Sequence, residues 1–156
     1  MTGGRQDAGR GDRRPEEVAI VVRRPGERGT EYLVLLRSAE KLGYWHLVAG
    51  GVDWGEEPVE AATRELEEET GLVADPRSLG GSLAYDLAGD PEPVRARFPA
   101  GIERITVWPF VADAPPGWEP ALDHEHVAAR WLDRDGAIAL LRYPEPREAV
   151  RRAAAS

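Results

Sequence analysis

The sequence predicts a layered α/β fold, and two patterns support this prediction. Short apolar runs rich in β-branched residues, typical of buried strands, recur along the 156-residue chain. Segments with the spacing of amphipathic helices lie among and after these runs, and the longest covers residues 58–70. Strands mixed with two or three helices pack as layers around one hydrophobic core. The sequence therefore favours an α/β class, with helices packed on a sheet.

The N-terminal residues differ from the rest of the chain. Residues 1–16 are rich in Gly, Arg and Asp and show no hydrophobic periodicity. Such a composition cannot bury enough apolar surface to offset the entropy of ordering the chain. We expect a disordered tail over residues 1–16 and, because no internal repeat is found beyond it, a single domain over residues 17–156.

A β-hairpin is predicted at the start of this domain. Residues 18–22 and 32–36 are apolar, β-branched runs separated by turn-forming Pro and Gly residues. A loop that begins at Gly43 then leads to the pair Gly50 and Gly51. Glycine permits backbone geometry that other residues resist, and it allows a ligand to approach the chain closely.

Residues 58–70 carry the signals of a complete α-helix. Pro58 suits the first helical turn, and Gly71 is a suitable C-cap. The residues expected to face the core, by helical spacing, are Val59, Ala62, Leu66 and Thr70.

The second half of the chain predicts more strands, two long loops and two helices. Loops of this length are often functional. The expected elements are strands over residues 79–87, 102–111 and 127–132, long loops over 88–101 and 112–124, a helix over 134–141 capped by Asp133, and a last helix over 144–155.

Negative charge is concentrated in and before the first helix. Residues 53–69 contain eight acids and one Arg, and so carry −7 of the formal net charge of −8. Glu65, Glu68 and Glu69 stand at i, i+3 and i+4, so a helix places the three carboxylates on one face. Like charges at this spacing destabilise a helix that has no counter-ion. Oxygen ligands suit hard divalent cations, so we expect Mg²⁺ or Mn²⁺ there.

Composition argues against several classes of protein. The acidic balance disfavours a nucleic-acid binder, which needs a basic face. No apolar run approaches membrane-spanning length, and the N-terminus lacks the apolar region of a secretory signal. The absence of Cys excludes a disulfide framework and a thiol nucleophile, and is compatible with a reducing compartment. We therefore expect a cytoplasmic protein with a small-molecule partner.

A carboxylate site beside a glycine-rich loop suggests chemistry on phosphates. Glu56 precedes the helix that carries the three clustered acids. Cations bound through carboxylates and water usually also contact substrate phosphates. Such an ion polarises a phosphoryl oxygen and activates water, and a spare carboxylate can serve as general base. The pattern therefore favours hydrolysis of a phosphoanhydride.

The same residues resemble a known family signature. Gly50, Glu56, the run Arg64-Glu65-Leu66, the pair Glu68-Glu69 and the pair Gly71-Leu72 stand at the spacing of the Nudix box, with every defining position filled. The resemblance implies a Nudix-type α/β/α sandwich with a mixed β-sheet. It also implies metal-dependent cleavage of nucleoside diphosphates linked to another group.

The resemblance further implies roles for the residues of the box. By this likeness Glu65, Glu68 and Glu69 bind the metal, together with the Gly50 carbonyl and Glu56. Arg64 orients a glutamate through an ion pair. The general base is one of the box carboxylates or an acid outside the box, because members of the family differ on this point.

A second similarity lies near the C-terminus. The segment from Glu125 to Leu132 is similar to a stretch of Nudix enzymes that act on dATP, dihydroneopterin triphosphate or diadenosine polyphosphates, although Ala129 replaces the usual Tyr. In such relatives an outside Glu completes the site, and Glu125 is the candidate here.

Three residues before the box are expected to bind substrate: Arg37, Tyr44 and Trp45. Arg suits phosphate oxygens, and aromatic rings can stack on a base.

The expected activity is release of pyrophosphate from a triphosphate such as dATP or dihydroneopterin triphosphate. A dinucleoside polyphosphate, ADP-ribose or a nucleotide sugar remains an alternative substrate. A nucleotide-sensing domain without turnover is the rival from another class. Nudix relatives are frequently dimers, so the resemblance also allows a homodimer.

Overall fold

A computed structural model describes residues 11–156 of the chain. It contains eight strands, four α-helices and two 3₁₀ turns in this range. In chain order the elements are β1 (Glu16–Gly26), β2 (Gly29–Arg37), a 3₁₀ turn (Ala39–Lys41), β3 (Trp45–His46), β4 (Val48–Gly51), α1 (Pro58–Thr70), β5 (Arg77–Ser78), β6 (Leu83–Asp86), a 3₁₀ turn (Leu87–Gly89), α2 (Glu92–Arg95), β7 (Arg104–Asp113), β8 (His126–Leu132), α3 (Arg134–Leu140) and α4 (Pro144–Ala155).

All eight strands belong to one mixed sheet. The central strand β1 runs parallel to β7 on one side and antiparallel to both β2 and β4 on the other. Residues 23–26 of β1 pair with β2, whereas residues 17–20 pair with β4. The two partners therefore divide one edge of β1 near residues 21 and 22, and the glycine pair that ends β4 is paired with Glu17 and Val18.

Helices cover both faces of the sheet, because side chains along β1 alternate in direction. Val18, Ile20 and Val22 face α1 and form a first core cluster with its buried residues. Ala19 and Val21 face the other side and pack in a second cluster with residues of α3 and α4. The expected α/β/α sandwich is thereby confirmed.

The predicted helix over residues 58–70 is confirmed as α1. Gly71 ends it in the left-handed region with φ of 81°, where a glycine avoids the strain of a Cβ atom. Ala62, Leu66 and Thr70 face the core as predicted. Val59 does not: it is exposed, because it lies in the first turn, ahead of the part of α1 that packs on the sheet.

Irregular segments differ most from the prediction. The strand expected over 79–87 is two short strands, β5 and β6, separated by Gly80 and Gly81, whose φ values are both positive. The loop expected over 88–101 contains the short helix α2. The predicted hairpin and the strand β7 are confirmed. Asp133 caps α3 by accepting a hydrogen bond from the Gly136 amide at 2.8 Å.

The expected disordered tail falls only partly in the described range. Residues 1–10 lie outside it. Residues 11–14, called the N-terminal strap below, lie within it and make backbone hydrogen bonds. The amides of Gly11 and Arg13 donate to the carbonyls of Ala96 and Arg97. These contacts join segments distant in sequence, so composition alone does not indicate them.

Within residues 11–156, no helix combines the length and the apolar character that crossing a membrane requires.

Candidate active site

A cleft of about 900 Å³ lies beside the glycine pair of β4. Its volume is in the range of sites that hold small molecules. The strap, the glycine pair, α1 and the segment around α2 all contribute to its walls. The predicted site residues that line it are Arg37, Tyr44, Gly50, Arg64, Glu65, Glu69 and Glu125.

Glu65 and Glu69 form the centre of one wall. They lie one turn apart on α1, and their carboxyl groups share a hydrogen bond. Burial raises the pKa of both groups. The neighbouring Glu65 carboxyl group raises the pKa of Glu69 further. A Cβ atom at Gly50 would overlap the Glu65 carboxyl group, so glycine lets this carboxyl group lie directly against the loop.

Glu68 occupies a different environment from its two neighbours. Its side chain is 56% exposed, and its nearest cation is Arg64, at 3.5 Å. It stands at the rim of the cleft, next to solvent. The three acids therefore share one helix face, but only Glu65 and Glu69 line the cavity.

Arg64 ties the loop before the helix to the helix itself. Its guanidinium donates two hydrogen bonds to the Glu56 carboxylate, at 2.8 and 2.9 Å, and a third to the Gly51 carbonyl, at 3.0 Å. A fourth reaches Glu65 at 2.6 Å. The bonds from Arg64 hold the pKa of Glu56 below its usual range. Glu56 therefore contacts Arg64 rather than the cavity.

A second set of contacts reaches Glu69 from β4 and from the start of β8. The Ala49 amide donates to its carboxyl group at 3.3 Å, and His126 Nε2 lies 3.8 Å from the same oxygen. On its other side, His126 Nδ1 is 2.8 Å from Asp123. Buried His126 thus links a loop acid to the helix carboxylate.

Arg37 and Tyr44 also line the cleft. The Arg37 guanidinium donates to the Tyr44 hydroxyl at 3.1 Å and lies 3.9 Å from Glu125. The Arg37 Nε atom is buried without a hydrogen-bond partner. Trp45 is not part of the lining, contrary to the prediction: its side chain points from β3 into the second core cluster.

The donor set fits a hard divalent cation by its chemistry. Among residues 11–156, no three acid or imidazole side chains already stand in a metal-binding arrangement. The paired carboxyl groups of Glu65 and Glu69 nevertheless place oxygen ligands together on the cleft wall, and Glu68 is one turn away. Their mutual repulsion when ionised is what a cation between them would relieve.

The cleft residues that were not found from the sequence include Arg13, Glu17 and Tyr85. Arg13 belongs to the strap, Glu17 begins the central strand, and Tyr85 lies in β6. One signal was present, because Glu16 and Glu17 are consecutive acids ahead of an apolar strand and must point to opposite faces.

The chain is similar to proteins of one known family. A family model described as the NUDIX domain matches residues 13–153. An octanoyltransferase of Myxococcus xanthus is 38% identical over 130 residues, which are 82% of this chain but only 34% of that relative. The dihydroneopterin triphosphate diphosphatase of Escherichia coli (strain K12) is 27% identical over 143 residues, covering 88% of this chain and 91% of that protein.

A solved structure shares the fold. The dihydroneopterin triphosphate pyrophosphohydrolase of E. coli superposes with a TM-score of 0.76 at 24% sequence identity. The match covers 91% of this chain and 96% of that one. The mixed sheet with helices on both faces is therefore common to the two molecules.

Proposed function

This chain belongs to the NUDIX domain family, and we propose that it is a pyrophosphohydrolase that cleaves a phosphoanhydride bond of a nucleoside triphosphate-like substrate. The observation that carries the proposal is the pair of Glu65 and Glu69. Their carboxyl groups are buried against each other and against Gly50, on the wall of a cleft large enough for a nucleotide.

Glu65, Glu68 and Glu69 are proposed to hold Mg²⁺ or Mn²⁺, with the Gly50 carbonyl beside them. A divalent ion supplies polarisation of the phosphoryl oxygens and a lower pKa for the attacking water. The role of α1 is to present these oxygens on one face, at i, i+3 and i+4.

Arg64 is proposed as a positioning residue. It fixes Glu56 and the Gly51 carbonyl on one side and Glu65 on the other. The planar guanidinium makes these contacts as a fork, which a lysine cannot reproduce. The orientation of Glu65 toward the cavity depends on it.

The general base is sought among Glu65, Glu68 and Glu125. Glu125 lines the cavity and lies 3.9 Å from the Arg37 guanidinium. Glu68 is exposed to solvent and free to meet a water molecule. A base must reach the attacking water within hydrogen-bond distance.

Arg37 and Tyr44 are proposed to bind the substrate. Arg37 lines the cleft, and a guanidinium group suits the oxygens of a phosphate. The favoured substrates are dihydroneopterin triphosphate and dATP, with release of pyrophosphate. Similarity over most of its length to a dihydroneopterin triphosphate diphosphatase supports this choice.

A nucleotide panel tests the proposal. The protein is incubated with dihydroneopterin triphosphate, dATP, diadenosine tetraphosphate, ADP-ribose and a nucleotide sugar, each with Mg²⁺, Mn²⁺ or chelator. A triphosphate-terminated RNA is added to test the expected absence of nucleic-acid substrates. Pyrophosphate and inorganic phosphate are measured separately, because they report the bond that is cut.

We expect pyrophosphate from the triphosphates, and loss of turnover with chelator. Equal rates with and without chelator would contradict metal dependence. No turnover on any member of the panel, with nucleotide binding retained, would favour the rival nucleotide-sensing domain. If only the dinucleotide and the sugar nucleotide are not cleaved, the range of substrates becomes narrower and the proposed class of reaction stands.

A further inference from the structure

Glu17 places a carboxylate in the cleft on the face of the sheet away from α1. Ala19 and Val21, which follow it at alternate positions of β1, pack beneath α3 and α4. Glu17 pairs with Gly51 in the ladder between β1 and β4. Its side chain therefore emerges on the far side of the glycine pair from Glu65, and it lines the same cavity.

The Glu17 carboxylate is only partly engaged by the protein. The Tyr85 hydroxyl donates to its Oε1 atom at 2.9 Å. The Arg13 guanidinium lies 3.5 Å from its Oε2 atom. A carboxylate offers about four acceptor positions on its two oxygens. Both oxygens thus keep acceptor capacity, and the hydroxyl and the guanidinium fix their direction.

Burial makes this arrangement informative. The Glu17 side chain is 22% exposed, and the next five residues of the strand are apolar and buried. An ionised group with unfilled acceptor positions is unfavourable there unless a donor completes it. Polar groups placed singly in a ligand pocket commonly orient and select the ligand.

We propose, resting on the function proposed above, that Glu17 selects the heterocycle of the substrate by accepting two parallel hydrogen bonds from a ring amide N–H and its neighbouring amino group. Guanine and pterin rings carry this pair of donors. Adenine presents a ring nitrogen that accepts where the amide would donate, so it opposes a carboxylate. Of the two favoured substrates, dihydroneopterin triphosphate fits and dATP does not.

The sheet puts this position within reach of the phosphate site. Val18 pairs with Gly50, and Glu17 pairs with Gly51. Paired residues of neighbouring strands are about 5 Å apart between Cα atoms. A nucleotide that rests on the glycine pair therefore has its phosphates toward Glu65 and Glu69 and its ring toward Glu17.

The test compares three ribonucleoside triphosphates that differ only in the base. GTP carries both donors, ITP carries only the amide, and ATP carries neither in this arrangement. For the wild-type protein with Mg²⁺ we expect kcat/KM for GTP to exceed that for ATP by about 10- to 100-fold, with ITP between them.

Glu17→Gln tests the residue itself. The amide turns one acceptor into a donor that faces the substrate donors, so the ratio of GTP to ATP should fall to within about threefold of unity. Asp86→Asn is the matched control, because it removes one charge from an exposed acid at the rim of the same cleft. We expect this control to keep the wild-type ratio. Equal wild-type rates on GTP and ATP, or an unchanged ratio in Glu17→Gln, would overturn the proposal.

Two further measurements keep the inference separate from the proposed function. If no triphosphate is hydrolysed, the proposed function fails, and titration calorimetry with GMP, IMP and AMP still tests the selection. Tighter binding of GMP supports it, and equal binding of all three overturns it. If Glu17→Gln does not fold, Tyr85→Phe replaces it, because this variant removes the hydroxyl that fixes the direction of the Glu17 carboxylate. A lower ratio of GTP to ATP is expected from Tyr85→Phe, and an unchanged ratio counts against the proposal.

Discussion

The carboxyl group of Glu69 is buried beside that of Glu65, and these surroundings determine its pKa. Burial and the hydrogen bond with Glu65 raise its pKa, which favours the neutral form of the group when no cation is present. An amide of the same shape can then replace the carboxyl group with little loss of folding stability. A bound cation, in contrast, would lose a charged ligand.

Glu69→Gln should therefore separate folding from turnover. We expect kcat/KM to fall by about 100-fold or more, while the melting temperature in chelator stays equal to that of the wild type or rises. Glu67→Gln is the matched control, since Glu67 is exposed on the same helix. Activity assays and thermal unfolding measure the two effects. A Glu69→Gln protein with wild-type activity would contradict the assignment.

His46 is a second residue whose surroundings set its titration. Burial lowers its pKa to about 4, despite a hydrogen bond between its Nδ1 atom and the Leu47 carbonyl. The nearby Arg37 and His126 lower it further. The folded protein therefore binds a proton at His46 less readily than the unfolded chain does.

The sign of the pH dependence follows from this depressed pKa. The stabilisation is complete above the unfolded-state pKa of about 6.5 and is lost as the pH falls toward 4. Between pH 7 and pH 5, His46 should lower the free energy of unfolding by up to about 2 kcal/mol. Urea unfolding of His46→Gln should show a flatter pH dependence than the wild type. His124→Gln is the control at an exposed position, and its pH dependence should equal that of the wild type.

At the scale of elements, the contact between β4 and α1 builds the candidate site. The backbone of Gly50 lies directly against the Glu65 carboxyl group. No left-handed φ is required at Gly50, so the need for glycine there is one of space alone. The atoms in the way are the flexible end of a side chain, and the fold can absorb a methyl group by moving them.

Gly50→Ala should consequently fold but misplace Glu65. We expect kcat/KM to drop by about 10- to 100-fold, because displacements of about 1 Å have effects of that size. The midpoint of Mg²⁺ activation should move to higher concentration. Gly89→Ala is the control, since a Cβ atom there meets nothing within 4 Å. Unchanged activity in Gly50→Ala would mean that Glu65 acts from another position.

At the scale of the whole molecule, the N-terminal strap joins the two sides of the cleft. Its backbone pairs with residues 96 and 97 on one side. On the other, the Arg14 guanidinium donates to the carbonyls of Asp53 and Glu56, at 3.2 and 2.9 Å, and the Trp54 indole donates to the Asp12 carbonyl at 2.6 Å. The loop ahead of α1 is therefore held in place by residues that lie outside the Nudix box.

Arg14→Gln should loosen that loop without unfolding the protein. Hydrogen exchange of the amides of residues 53–57 should become faster, because the loop loses two of its tethers. Exchange in the core strands should not change. Arg28→Gln, in the exposed turn between β1 and β2, is the control. Identical exchange in Arg14→Gln and the wild type would show that the strap does not hold the loop.

Much of the molecule could be predicted from local pattern. The limits of α1 followed from Pro58, Gly71 and helical spacing, since these act within the segment itself. The three clustered acids followed from the i, i+3, i+4 geometry of a helix. In contrast, Trp45 was assigned to the cleft, because a pattern does not say whether an aromatic side chain points inward or outward.

The sequence by itself determined the order of the main elements, the family resemblance and the face on which Glu65, Glu68 and Glu69 stand. These depend on spacing along the chain, which a helix or a strand converts directly into geometry. Only the tertiary structure separated exposed Glu68 from buried Glu69, tied Glu56 to Arg64, and brought Arg13, Glu17 and Tyr85 into one cavity. Burial and contacts between distant segments arise from how layers pack, and no local periodicity encodes them.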